Sequence, residues 1–147
     1  MPTKKLQTIL NKQISTWSVL YVKLHNYHWY VKGNQFFTLH VKFQELYEEA
    51  TLHVDDIAER LLTIGGAPYA TMAEHLEYST VKEASGKETA GEMVDVLIED
   101  FTNVASELKE GMEAAEAAGD ETTSDLLLAI HKSLEKHTWM LKAFNGR

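Results

Sequence analysis

The chain contains no cysteine. That absence excludes disulfides, thiol catalysis and thiolate metal sites, so any bound metal must rely on imidazole, carboxylate or water. No run of apolar residues approaches the 18 or so that a membrane span needs, and the opening MPTKKLQTILNK lacks the apolar core and cleavage site of a secretory signal. The expected location is the cytoplasm, with no membrane partner. Positive charge is scarce, with 14 Lys and Arg against 22 Asp and Glu and a formal net charge of −8. Such a balance opposes non-specific binding to nucleic acid, which depends on clustered Lys and Arg, and favours attracting cations. Strand patterns, internal repeats and low-complexity segments are also missing.

What is present is helical periodicity. The 147 residues, 44% of them apolar, are enough for one domain spanning 1–147 with a single core. Residues 4–32 place Leu6, Leu10, Ile14, Trp17, Tyr21, Leu24, His28 and Val31 at steps of three or four, and Gly33-Asn34 ends this first helix. A second run through Phe36, Phe43, Leu46, Ala50, Val54, Ile57, Leu61 and Ile64 stops at Gly65-Gly66-Ala67-Pro68. Residues 69–87 form a long connection with a short helix predicted around 71–76. A third long helix is expected from about Thr89 to Ala118, and Gly119-Asp120 breaks it. The fourth starts near Thr122 to Ser124, whose hydroxyls are expected to cap it, and continues through Leu127, Ile130, Leu134, His137 and Leu141. The expected fold is all-α: a ferritin-like four-helix bundle with one long connection, carrying a short helix, between helices two and three.

Bundles of this class often hold two irons through a Glu-x-x-His pair on each of two helices, yet none of the seven histidines has a Glu three residues before it. A different constellation stands out. His28 and His40 flank the Gly33-Asn34 turn at similar distances, so an antiparallel hairpin sets them side by side. Asp55 and Glu59 lie one helical turn apart, on a strip pointing away from the core direction defined by Phe43, Ala50 and Leu61. All four suit a metal such as iron, but at about 1.5 Å per residue His40 and Asp55 are roughly 22 Å apart along one helix. A shared site must therefore form between two copies of the chain. By pattern alone, a solvated acidic face is the commoner explanation of the carboxylates, and Asp56 competes with Asp55 because it is i, i+3 from Glu59. His25, His53, His75, His131 and His137 read as core or interface residues, with His25 the least secure because it is i, i+3 from His28. Trp29 is an interface residue or an electron donor beside an oxidising centre. Trp17 and Trp139 are expected in the core, and the methionines are expected to pack rather than ligate.

Four segments resemble one family: Leu24-His25-Asn26-Tyr27-His28-Trp29-Tyr30-Val31-Lys32-Gly33, then Phe36-Phe37-Thr38-Leu39-His40, then Asp55-Asp56-Ile57-Ala58-Glu59-Arg60-Leu61, then Gly65-Gly66. With Lys136-His137-Thr138-Trp139-Met140 in the last helix, the resemblance is to the Dps miniferritins and spans the chain. It implies a hollow homo-dodecamer that oxidises Fe(II), preferably with hydrogen peroxide although dioxygen can serve, and stores the ferric mineral, protecting cells from oxidative stress. The implied ferroxidase centre lies at a two-fold interface, with His28 and His40 from one subunit and Asp55 and Glu59 from its partner. Many relatives carry an acidic residue where this chain has Gln44, which bears on the second iron position. Glu121 and Asp125 match the region lining negative three-fold pores, although as acids beside a helix start they also suit the macrodipole. Some relatives bind DNA through Lys-rich tails, and a nucleoid-binding structural protein is the alternative function. Here only Lys4, Lys5 and Lys12 lie near one end and Lys142 and Arg147 near the other. Twelve copies at −8 each carry about −96, so direct DNA binding is expected to be weak or absent.

Overall fold

The computed structural model describes residues 2–147, and its order of elements is α1 (Lys4–Tyr30), α2 (Phe36–Thr63), α3 (Met72–Tyr78), α4 (Ala90–Ala117) and α5 (Glu121–Phe144). No strand occurs among the described residues, and none of their helices is long and apolar enough to cross a membrane. Two antiparallel hairpins, α1 with α2 and α4 with α5, pack through the contact of α1 with α4, and the crossover carrying α3 lies along α1. This is the ferritin-like bundle that the periodicity predicts.

Each boundary has a local cause. The Thr3 side chain accepts a hydrogen bond from the Leu6 N–H and caps α1. After α1, Gly33 adopts φ +107°, a conformation unfavourable for a residue with a Cβ, and the chain reverses within five residues. Thr71 with Glu74 and Thr89 with Glu92 form capping boxes that start α3 and α4. The cap of α5 differs from expectation. Asp120, rather than Thr122 to Ser124, accepts from the Thr123 N–H. The Thr123 hydroxyl is buried and itself donates to Asp120, while that of Ser124 turns back to Glu116.

The core runs the length of the bundle through Leu10, Trp17, Leu24, Phe43, Leu61, Phe101, Leu108, Leu127 and Leu134. At about 25 cal/mol per Å² of apolar surface removed from water, each such side chain contributes roughly 1.5–3 kcal/mol. A Cβ at Gly111 in α4 would come within 2.8 Å of Leu127 and 3.1 Å of Ile9, so glycine there permits the close approach of α1, α4 and α5.

The polar residues on the inner side of α1 hold the crossover in place. Asn11 donates to Ala67 O and accepts from Tyr69 N, Thr16 accepts from Thr80 N, and Ser15 lies 3.2 Å from Nδ1 of His75. At the far end Tyr27 donates its phenol proton to Glu88 at 2.9 Å. Burial alone would raise the Glu88 carboxyl, but N–H groups of the turn around Ser85 and the Tyr27 hydroxyl outweigh it and draw the pKa down to about 2. A buried ion pair, Lys23 to Asp100 at 2.7 Å, ties α1 to α4.

Two packing expectations fail. Trp139 is 66% exposed, because it stands five residues after buried Leu134 and so about 140° round the helix from it. Met72 is also exposed, at the start of α3.

Candidate metal centre

His28 sits near the end of α1 and His40 near the start of α2, and the tight turn at Gly33 brings them into contact. Their rings stack with centroids 3.7 Å apart and planes 11° from parallel. Nδ1 of His28 donates to the backbone carbonyl of His40 at 2.6 Å, and Nδ1 of His40 donates to that of His28 at 2.7 Å. A carbonyl oxygen can only accept, so each Nδ1 must carry the proton, and in the neutral ring each Nε2 keeps a free lone pair. This reciprocal clasp fixes both tautomers and orients both rings, the support that metal-binding imidazoles require. Phe36 stacks on the outer face of His40 at 4.8 Å, and Tyr47 meets His28 edge-on at 5.4 Å.

The carboxylates lie elsewhere. α2 is a single helix from Phe36 to Thr63, so Asp55 is roughly 22 Å from His40 along its axis. Asp55 and Glu59 are both exposed on one strip of α2, as is Asp56. Among the described residues, no three His, Asp or Glu side chains of one chain converge to hold a metal ion. Asp55 also borders an open groove lined by Tyr21, Val22, Leu52, Val54 and Met72, where Leu52 and Met72 are 62% and 64% exposed. The Gln44 side chain is exposed, and its Nε2 donates to Glu48 at 3.0 Å.

The chain matches the ferritin-like domain family over residues 7–147. It is 59% identical over 144 residues to general stress protein 20U of Bacillus subtilis, covering 98% of this chain and 99% of that one. Among solved structures, Dps from Staphylococcus aureus superposes with a TM-score of 0.96 at 46% identity, covering 98% and 97% of the two chains. Dps from Listeria innocua soaked with zinc superposes at 0.93 with 41% identity, covering 97% of each. The chain belongs to the Dps family.

Within this Dps-family chain the remaining candidates take definite positions. Glu121 and Asp125 are exposed one turn apart at the start of α5. Behind them Arg60, next to Glu59, donates to Asp120 at 3.0 Å and to the Thr123 hydroxyl at 2.9 Å, joining the end of α2 to the start of α5. Trp29 is 65% exposed and packs against His25 at 5.2 Å rather than against its neighbour His28, since residues i and i+1 of a helix do not face each other.

One polar cluster escaped sequence reasoning. Glu49 accepts from Nε2 of His53 on its own helix and from Nε2 of His137 and the hydroxyl of Ser133 on α5, all at 3.0–3.1 Å. Burial would raise this carboxyl, but the hydrogen bonds from His137 and His53 outweigh it and hold it well below the usual carboxylate range. The i, i+4 spacing of Glu49 and His53 beside buried Ala50 was the available signal.

Proposed function

We propose that the protein is a cytoplasmic ferroxidase and iron store. It takes Fe(II) as substrate, oxidises it with hydrogen peroxide, or with dioxygen in its place, and retains the ferric product inside a hollow homo-dodecamer. The observation that carries this reading is the His28–His40 clasp, which presents two imidazole lone pairs side by side at a half-buried edge with no carboxylate of the same chain in reach. Two neutral nitrogen donors alone leave the charge of Fe(II) uncompensated. Asp55 and Glu59, exposed and one turn apart, supply anionic oxygen donors suited to iron when a second chain is applied across the apolar groove beside Asp55. Each two-fold contact then makes two such sites.

Oxidation at that interface has a clear balance. Two Fe(II) ions each lose one electron to one peroxide, whose O–O bond breaks and, with two protons, yields two waters. No hydroxyl radical leaves when both electrons arrive together. Detoxification and storage are then a single process. Glu121 and Asp125, repeated round a three-fold axis, would draw cations toward the interior. DNA compaction is a poorer fit, since the formal charge of −8 per chain is multiplied in any assembly.

The test is to add Fe(II) and peroxide to the purified assembly and follow peroxide consumption, then size the loaded particle. Fe(II)-dependent consumption followed by an iron-filled particle of unchanged outer size is expected. Consumption no faster than in buffer would sink the proposal.

A further inference from the structure

Beside the groove that Asp55 borders lies a smaller cavity of about 130 Å³, between α1 and the crossover. Ser18, Val22, Met72 and His75 line both, so the two share a rim. Polar groups on the cavity wall keep hydrogen-bonding capacity that the chain does not use. Lys23 is 3% exposed, and among the described residues its Nζ donates only to Asp100, one acceptor for three protons. Asn26 stands one turn further along α1 and also lines the cavity, and its Oδ1 is buried without a partner among the described residues. A buried acceptor left bare is destabilising, so the space beside it calls for a molecule that donates.

Charge and size narrow the choice of ligand. Asp100 neutralises Lys23, and the exposed Glu83 on the cavity rim adds negative charge, so an anion is not favoured. At about 30 Å³ for each water, the cavity holds roughly four such molecules and is too small for an organic cofactor. A neutral molecule of few atoms that both donates and accepts fits the wall, and hydrogen peroxide is the one that the proposed reaction consumes. Resting on the ferroxidase reading above, we propose that this cavity binds hydrogen peroxide. Asn26 Oδ1 accepts from one peroxide O–H, and Lys23 donates to the other oxygen. A second chain laid over the groove covers the shared rim, which places the bound peroxide beside the Asp55 half of the iron site and away from bulk solvent. Peroxide held there meets protein-bound iron before it meets Fe(II) free in solution. Water has the same hydrogen-bonding chemistry and is the competitor for the cavity.

Two full-length variants test this in the assembled protein. Asn26→Leu keeps a branched side chain and removes the acceptor, whereas Ala84→Leu fills the cavity from the crossover. In Fe(II) oxidation both should raise the peroxide concentration that gives half-maximal rate, roughly three- to tenfold for the hydrogen bond lost in Asn26→Leu, with the maximal rate unchanged. A metal-free arm uses Met72, whose thioether takes one oxygen from peroxide and leaves water. Peptide mass spectrometry should show Met72 sulfoxide forming more slowly in both variants than in wild type. Met112, outside the cavity, should oxidise at the same rate in all three. An unchanged half-saturating concentration or an unchanged Met72 rate in correctly assembled variants would overturn the proposal and leave a cavity that is hydrated only. A lower maximal rate at unchanged half-saturation would also overturn it, since that pattern marks a distorted iron site. Wild-type protein without Fe(II)-dependent peroxide consumption would overturn the ferroxidase reading, whereas slower Met72 oxidation in the variants would then still support peroxide binding in the cavity.

Discussion

Pairing two differently disabled chains tests the shared site most directly. One chain carries His28→Ala with His40→Ala, the other Asp55→Ala with Glu59→Ala. Metal–ligand bonds are on the order of 2 Å, whereas the two halves of the site lie about 22 Å apart along α2, so neither chain can complete a site by itself. Alone, each variant should assemble, because the four positions are a small part of the interface, and each should oxidise Fe(II) near the buffer rate. Mixed by co-expression with two affinity tags, half of the two-fold pairs contain one chain of each kind. In such a pair one site collects both sets of substitutions and the other has intact histidines facing intact carboxylates. The mixed population should therefore recover about one quarter of the wild-type site number, from one intact site of two in half of the pairs. Stopped-flow absorbance of Fe(III) reads the recovered amplitude. Doubly tagged particles with no recovered oxidation would refute the shared site, since ligands drawn from within one chain leave every site broken.

Three further outcomes follow from the same geometry. Glu49→Gln removes the charged acceptor of His53, His137 and Ser133 and should destabilise the bundle by about 1–3 kcal/mol in urea unfolding. Because the folded Glu49 carboxyl is depressed below its unfolded value of about 4.3, its stabilising contribution is complete above that pH and is lost as pH falls through the lower folded pKa. Acidification from neutrality should accordingly shrink the difference between wild type and Glu49→Gln, and a difference that grows would contradict the assignment. Lys23→Met leaves Asp100, already raised by burial, without its cation, and should cost about 3–5 kcal/mol unless Asp100 takes up a proton. Replacing Asp100 by Asn in the same chain should restore part of that loss in chemical denaturation. Glu121→Ala with Asp125→Ala should slow iron uptake roughly tenfold or more at low ionic strength and progressively less as salt is added. Equal uptake at low salt would return both residues to the role of helix-start acids.

The number of long helices, the crossover with its short helix, the pairing of His28 with His40 and the outward strip of Asp55 and Glu59 are all legible in the order of residues. Each follows from local rules: a 3.6-residue period assigns every side chain to a face, and a glycine turn between two helices fixes which residues oppose each other. The 1.5 Å rise per residue likewise separates His40 from Asp55 and Glu59 once all three are assigned to one long helix. Other features depend on the rotation of one helix against another, and local rules do not reach them. The reciprocal hydrogen bonds that set both histidine tautomers cross from α1 to α2, and the Glu49 cluster is completed by His137 and Ser133 from α5. The capping of α5 by Asp120 is reinforced by how α5 settles against α2, where Arg60 holds Asp120 in place. The contact of Tyr47 with His28 belongs to the same class, because periodicity assigns a residue to a face but not to the ring it meets there.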